Sequence, residues 1–139
     1  MHFLKLLFAA ALVLFSTASA TCFGTGRAPS AASKSHAANN LDSFCRSTFL
    51  GRYQRGQTRR YCLGDGPNRW DFSIKLNDNN ESRNMPIHEC LSGLIKEIQG
   101  CARGGRTKYG NWEYTYGQPN PSFILLDLYM ILTNPQGRS

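Results

Sequence analysis

An α+β fold, with two helices packed on an antiparallel β-sheet as a disulfide-stapled α/β sandwich, is what this sequence predicts. Three observations carry that expectation. Trp70, Phe72, Ile74 and Leu76 alternate with Asp71, Ser73 and Lys75, and Trp112, Tyr114 and Tyr116 alternate with Glu113 and Thr115, the period of strands buried on one side. Leu91, Leu94, Ile95 and Ile98 recur at helical spacing between Pro86 and Gly100, residues suited to open and close a helix. Cys22, Cys45, Cys62, Cys90 and Cys101 are distributed along the same stretch, and strands and helices do not alternate as parallel βαβ units require.

The chain begins with a segment that is not expected in the mature fold. Met1 to Lys5 is short and basic, Leu6 to Phe15 is continuously apolar, and Ala18-Ser19-Ala20 supplies small residues for cleavage, so residues 1–20 read as a signal peptide. Ten apolar residues are about half of the ~20 needed to cross a bilayer, so an integral membrane protein is not expected. A secreted, extracellular protein passes through an oxidising route, which favours disulfides over metal ligation. No two cysteines show the close spacing of a zinc site, and neither a metal nor a cofactor is expected. What remains is the length of one domain.

The elements follow in order. Thr21 to Ser35 is rich in Gly, Ala and Ser and reads as an extended arm held by Cys22. Ala37, Ala38, Leu41, Phe44, Cys45 and Thr48 then mark an amphipathic helix ending before Gly51. Tyr53 to Gln54 and Thr58 to Leu63 are short β candidates, and Gly64-Asp65-Gly66-Pro67-Asn68 is a turn. The Trp70–Leu76 strand leads into a polar loop, Asn77 to Asn84, which carries the acceptable N-glycosylation sequon at Asn80; proline blocks the one at Asn120. After the second helix, Gly104-Gly105 reads as a loop before the aromatic strand. Cys90 and Cys101 are separated by about three helical turns, a rise of ~16 Å against a limit of ~7 Å between bonded cysteine Cα atoms, so they cannot pair with each other. Cys45 and Cys62 are their expected partners, making Cys45, Cys62, Cys90 and Cys101 the expected disulfide set.

Three segments together resemble a known family: Gly51-Arg52-Tyr53-Gln54-Arg55-Gly56-Gln57-Thr58-Arg59-Arg60-Tyr61-Cys62, then Cys90 to Gly105, then Gly110-Asn111-Trp112-Glu113-Tyr114. In order and cysteine spacing they are similar to the small secreted, cysteine-rich fungal proteins related to the glycan-binding "Y-three" mushroom lectin, many of them effector-like. The resemblance implies an α/β sandwich also seen in killer-toxin-like proteins, and carbohydrate binding over residues 21–120. The family closes with a further cysteine that this chain lacks, so one of the five cysteines is left over, and Cys22 is the expected one. Residues 121–139 depart from the family pattern. Phe123 to Leu132 is nearly solid apolar, and the tail reads as a mispredicted exon end, with a buried terminal strand or helix as the other reading.

The function expected is a secreted, non-enzymatic, lectin-like protein or effector candidate whose partners are extracellular glycans or cell-surface glycoconjugates. Sugar recognition asks for flat aromatic faces with planar polar groups beside them, and Arg52, Tyr53, Arg55, Trp70, Trp112, Tyr114 and Tyr116 are the residues of those types. Alternation places Trp112, Tyr114 and Tyr116 on one side, either under the helices or offered outward. A formal net charge of +7 draws the chain to polyanions in general, and the run Arg52, Arg55, Arg59, Arg60 suits acidic glycan or phosphate. Nucleic acid is not favoured. The alternatives are a small secreted ribonuclease, for which Glu113 with His88 would supply acid and base, and a killer-toxin-like protein acting on membranes or channels. A homodimer through a sheet edge is a further expectation.

Overall fold

The computed structural model describes residues 21–118; the expected leader and the 121–139 tail lie outside them. Strand β1 (Thr21–Cys22) precedes helix α1 (Ala31–Phe44), which passes into a π-helical turn, Cys45–Phe49. Then come β2 (Gly51–Gln54), β3 (Thr58–Asp65), β4 (Asn68–Leu76), β5 (Ser82–Met85), helix α2 (Ile87–Gly100), β6 (Gly104–Tyr109) and β7 (Trp112–Gly117). The predicted α+β class holds: α1 and α2 pack on one face of an antiparallel sheet ordered β1-β6-β7-β4-β3. Strands β2 and β5 form a separate antiparallel pair.

Local chemistry explains where the elements begin and end. Helix α1 starts earlier than the apolar period indicates because Ser30 caps it: its Oγ accepts the Ser33 amide at 3.0 Å, satisfying one of the donors that a helix start leaves open. The expected arm therefore stops at Ser30. The π-helical turn closes with the Leu50 amide donating to the Cys45 carbonyl at 3.1 Å, and the extra residue lets Phe44, Cys45 and Phe49 all face inward. Pro86 caps α2, whose buried residues are Cys90, Gly93, Leu94, Glu97 and Ile98. That stripe is rotated from the expected one, and Leu91 and Ile95 sit at its margin. Two expected loops contain strands. Ser82–Met85 pairs with β2, and Gly104–Tyr109 pairs with β7 from Tyr109↔Trp112 to Gly104↔Gly117.

The core is aromatic. Phe44 stacks on Tyr61 and Phe72 on Tyr116, with ring centroids 4.7 and 4.9 Å apart, while Tyr53 meets Trp112 edge-on at 5.0 Å. Helix α2 comes so close to the sheet that a Cβ at Gly93 would stand 2.2 Å from Tyr114 ring carbons. Gly104, with φ of +83°, lets β6 start where a Cβ would meet the Tyr116 carbonyl oxygen at 2.0 Å. Asn80 lies in the turn between β4 and β5, partly exposed.

The disulfides correct the expected set. Cys45 bonds Cys90, with Cα atoms 6.1 Å apart, tying the end of α1 to the first turn of α2. Cys22 bonds Cys101 across 5.3 Å, tying β1 to the residue after α2. Cys90 and Cys101 are not joined to each other, as their helical separation requires. Cys62, not Cys22, is the thiol left over, and it is exposed. The reason is strand alternation. Tyr61 and Leu63 face the helices, so Cys62 between them points to the opposite side, whereas Cys22 lies beside Gly105 in register and faces Cys101. Closing loops of 79 and 45 residues, the bonds each remove roughly 4 kcal/mol of unfolded-chain entropy on the chain-entropy account.

Candidate functional site: the open face of the sheet

Because both helices cover one face, the alternate residues of each strand form the other. Register sets them in rows. Lys108, Glu113, Lys75 and Thr58 lie side by side across β6, β7, β4 and β3, and Thr21, Arg106, Thr115, Ser73 and Arg60 form the next row from β1 to β3. Gly104, Gly117, Asp71 and Cys62 follow, with Arg69 opposite Gly64 beyond them. Every charged side chain in these rows reaches solvent. Arg60, Arg69, Lys75, Arg106 and Lys108 thus face Asp71 and Glu113, an excess of cations interleaved with hydroxyls.

The ion pairs order this face without neutralising it. Arg69 grips Asp71 through Nε at 2.9 Å and Nη2 at 3.3 Å. Lys75 reaches Asp78 at 3.3 Å, and Arg106 stands 3.7 Å from Glu113, beyond hydrogen-bonding distance. Exposed pairs of this kind contribute ~1 kcal/mol or less and weaken with salt. Burial, reinforced by the carboxylate of Asp71, pushes the Cys62 thiol up from its ordinary range. The shift favours the thiol over the thiolate, the opposite of what a nucleophilic cysteine needs.

At the β1 end the face is hollowed into a cavity of about 370 Å³, lined by Thr21, Phe23, Arg106, Lys108 and Glu113. Its aromatic wall depends on a missing side chain. Phe23 follows β1, fastened by its amide to the Gly104 carbonyl at 2.9 Å, and its ring lies over Gly117, where a Cβ would stand 3.1 Å away. Hairpin patterning holds the signal for this site: Arg106 and Lys108 alternate with Thr107 and Tyr109 ahead of Gly110-Asn111 and the aromatic strand. Phe23 carries no such signal.

The predicted aromatic platform is elsewhere. Tyr53, Trp70, Trp112, Tyr114 and Tyr116 are each 2% exposed or less, because they all lie on the helix-facing side. Several of their polar atoms are occupied as well. Trp112 Nε1 donates to Glu89 Oε2 at 2.5 Å, Tyr114 Oη to the Glu89 carbonyl at 3.0 Å, and Trp70 Nε1 to Asp65 Oδ2 at 3.2 Å. These five are core residues, buried away from any ligand on the surface. Of the remaining two, Arg52 donates to Ser82 Oγ at 2.8 Å and lines a small pocket of about 130 Å³ with Ser82, Arg83 and Asn84; Arg55 donates to the Asp78 carbonyl. The basic run is not one surface. Arg59 is spent on structure, over the Tyr53 ring at 4.2 Å and donating to the carbonyls of Leu50 and Arg52, and only Arg60 joins the open face.

The residues of the ribonuclease alternative are divided by the sheet: Glu113 is on the open face, and His88 is in the first turn of α2 on the other side. Among the described residues no three His, Cys, Asp or Glu side chains converge as metal ligands, and no helix is long and apolar enough to cross a membrane. Strand β3 pairs on one side only among the described strands. Neither a protein-family model nor a curated protein matches the chain.

Proposed function

We propose that this protein is an extracellular, non-enzymatic binding protein, lectin-like in role and an effector candidate, that recognises acidic glycans through the open face of its sheet. The observation that carries the reading is the sorting of side chains by that sheet. All the large aromatics of β4 and β7 are committed to the core, while five cations and four hydroxyl side chains are presented together against two carboxylates. Such a surface offers charge-assisted hydrogen bonds to carboxylate or sulfate groups and neutral ones to sugar hydroxyls. Its backbone is held by ladder hydrogen bonds and two disulfides, so binding has only side chains to order. Its resemblance to the glycan-binding family above supports the same class of ligand, with charge now ranking acidic glycans over neutral ones.

A glycan array carrying matched acidic and neutral oligosaccharides, probed with the secreted protein, tests this. Binding concentrated on the acidic members and weakened by added salt is the expected result. Silence on the array beside cleavage of RNA by the same preparation would overturn it in favour of the ribonuclease.

A further inference from the structure

Resting on that reading, we infer that the cavity at the β1 end of the face is a subsite for one carboxylated sugar residue, a uronic acid in chemical class, stacked on Phe23 with its carboxylate held by Arg106 and Lys108. Its volume of about 370 Å³ falls within the ~300–1,000 Å³ of small-ligand sites. It is also the place on the open face where an aromatic ring meets the cations. Phe23 is partly buried over Gly117 and partly free, so one ring face is available to the C–H surface of a pyranose without the ring having to be ordered on binding.

The polar groups complete a match that charge alone does not demand. Arg106 and Lys108 are two residues apart on β6, hence on the same face and roughly 7 Å apart along the strand, a spacing that lets both converge on one anionic group from opposite sides. Arg106 pairs with Glu113 only through Nε, at 3.7 Å, and its side chain is 52% exposed, so its guanidinium can turn to a bidentate carboxylate, the geometry arginine prefers. Glu113, only 20% exposed in its side chain, and Thr21 stand where sugar hydroxyls would need an acceptor and a donor. Glu113 also works against high charge, because each further anionic group placed beside it adds to the repulsion.

Titration calorimetry on the secreted protein tests the subsite with three probes: an oligosaccharide of alternating glucuronic acid and N-acetylglucosamine, the same oligosaccharide with its carboxylates reduced to alcohols, and inorganic polyphosphate as a polyanion without C–H faces. Reduction of the carboxylates is expected to weaken binding by about tenfold or more, the scale of one lost charge-assisted contact. F23A should lose a similar factor for the uronate oligosaccharide while polyphosphate binding is unchanged. K108Q, altering an exposed side chain, should weaken the uronate oligosaccharide more than K75Q does; this keeps the test sharp if F23A melts early. Equal losses for K108Q and K75Q, or an F23A protein that folds and binds the uronate oligosaccharide like the parent, would overturn the subsite while leaving acidic-glycan recognition standing. A protein that binds no acidic glycan at all would bring down the proposed function as well.

Discussion

Glu97 is the most informative residue to change, because the fold buries a carboxyl that it does not satisfy. It lies on the inner stripe of α2 facing β6 and is 0% exposed. Neither of its oxygens, nor the Thr107 hydroxyl of β6 beside it, meets a partner at hydrogen-bonding geometry among the described residues. Burial pushes the carboxyl up from its ordinary value of 4.5, and the nearby hydroxyls of Thr107 and Tyr109 only oppose it. The other groups close by are the Cys22–Cys101 disulfide beyond Gly105, and Lys96, whose ammonium lies over the Tyr109 ring at 4.6 Å. A raised folded-state value means that the folded protein holds a proton which the unfolded chain has released. Glu97's own contribution to stability is therefore most favourable below pH 4.5 and falls as pH rises until the folded-state value is passed. Glu97→Gln keeps the shape and cannot ionise. The glutamine amide is no better satisfied but has no proton to release, so near pH 8 the glutamine protein is expected to be the more stable, by about 1.4 kcal/mol for each tenfold by which burial tightens the carboxyl's hold on its proton, or some 4–8 °C per kcal/mol in melting temperature. Thermal melts of both proteins at pH 4 and pH 8 provide the assay. A glutamine variant that is less stable at pH 8, or a difference of the same size at both pH values, would refute the reasoning.

Other consequences of the packing are open to simple measurement. Gly93→Ala puts a methyl 2.2 Å from the Tyr114 ring and should cost at least ~1–3 kcal/mol through forced separation of α2 from the sheet; guanidinium unfolding with a midpoint unchanged from the parent would contradict that close approach. Peptide mapping without reduction should find Cys22 with Cys101 and Cys45 with Cys90, and Cys62 in neither. Cys62→Ser should shift stability by no more than ~0.5 kcal/mol, as an exposed substitution does, and abolish any covalent dimer seen on a non-reducing gel. Replacing Cys45 and Cys90 together by alanine should lower unfolding free energy by roughly 4 kcal/mol, read by denaturant titration; a loss below ~1 kcal/mol would show that the link contributes little.

What the sequence disclosed of this fold follows from how apolar residues are spaced. β4 and β7 were legible because each buries one side chain in two, and α2 because apolar residues return at helical spacing. β5 and β6 were not, since each turns too few apolar side chains inward to make a period. Ser82–Met85 has one buried residue and is a strand because β2 lies beside it. β6 turns Gly105, Thr107 and Tyr109 inward, the first two small or polar because Cys101 and Glu97 already occupy the space above them. Which face carries the candidate site was not legible for a related reason, although alternation already groups Arg106 with Lys108. Alternation states which residues share a face and is silent on which face the helices cover; that is decided by contacts such as Gly93 against Tyr114, between residues far apart in the chain. Trp112, Tyr114 and Tyr116 accordingly move together, and once α2 lies on them the cations between them in space, Lys75, Arg106 and Lys108, are offered outward as a group. The same rule accounts for Cys62. Its neighbours Tyr61 and Leu63 are the apolar ones, so the alternation that buries them also turns the thiol away from α2, and the partner of Cys101 has to come from β1. Core, disulfide pairing and open face are thus three readings of one choice, the side of the sheet on which the helices pack.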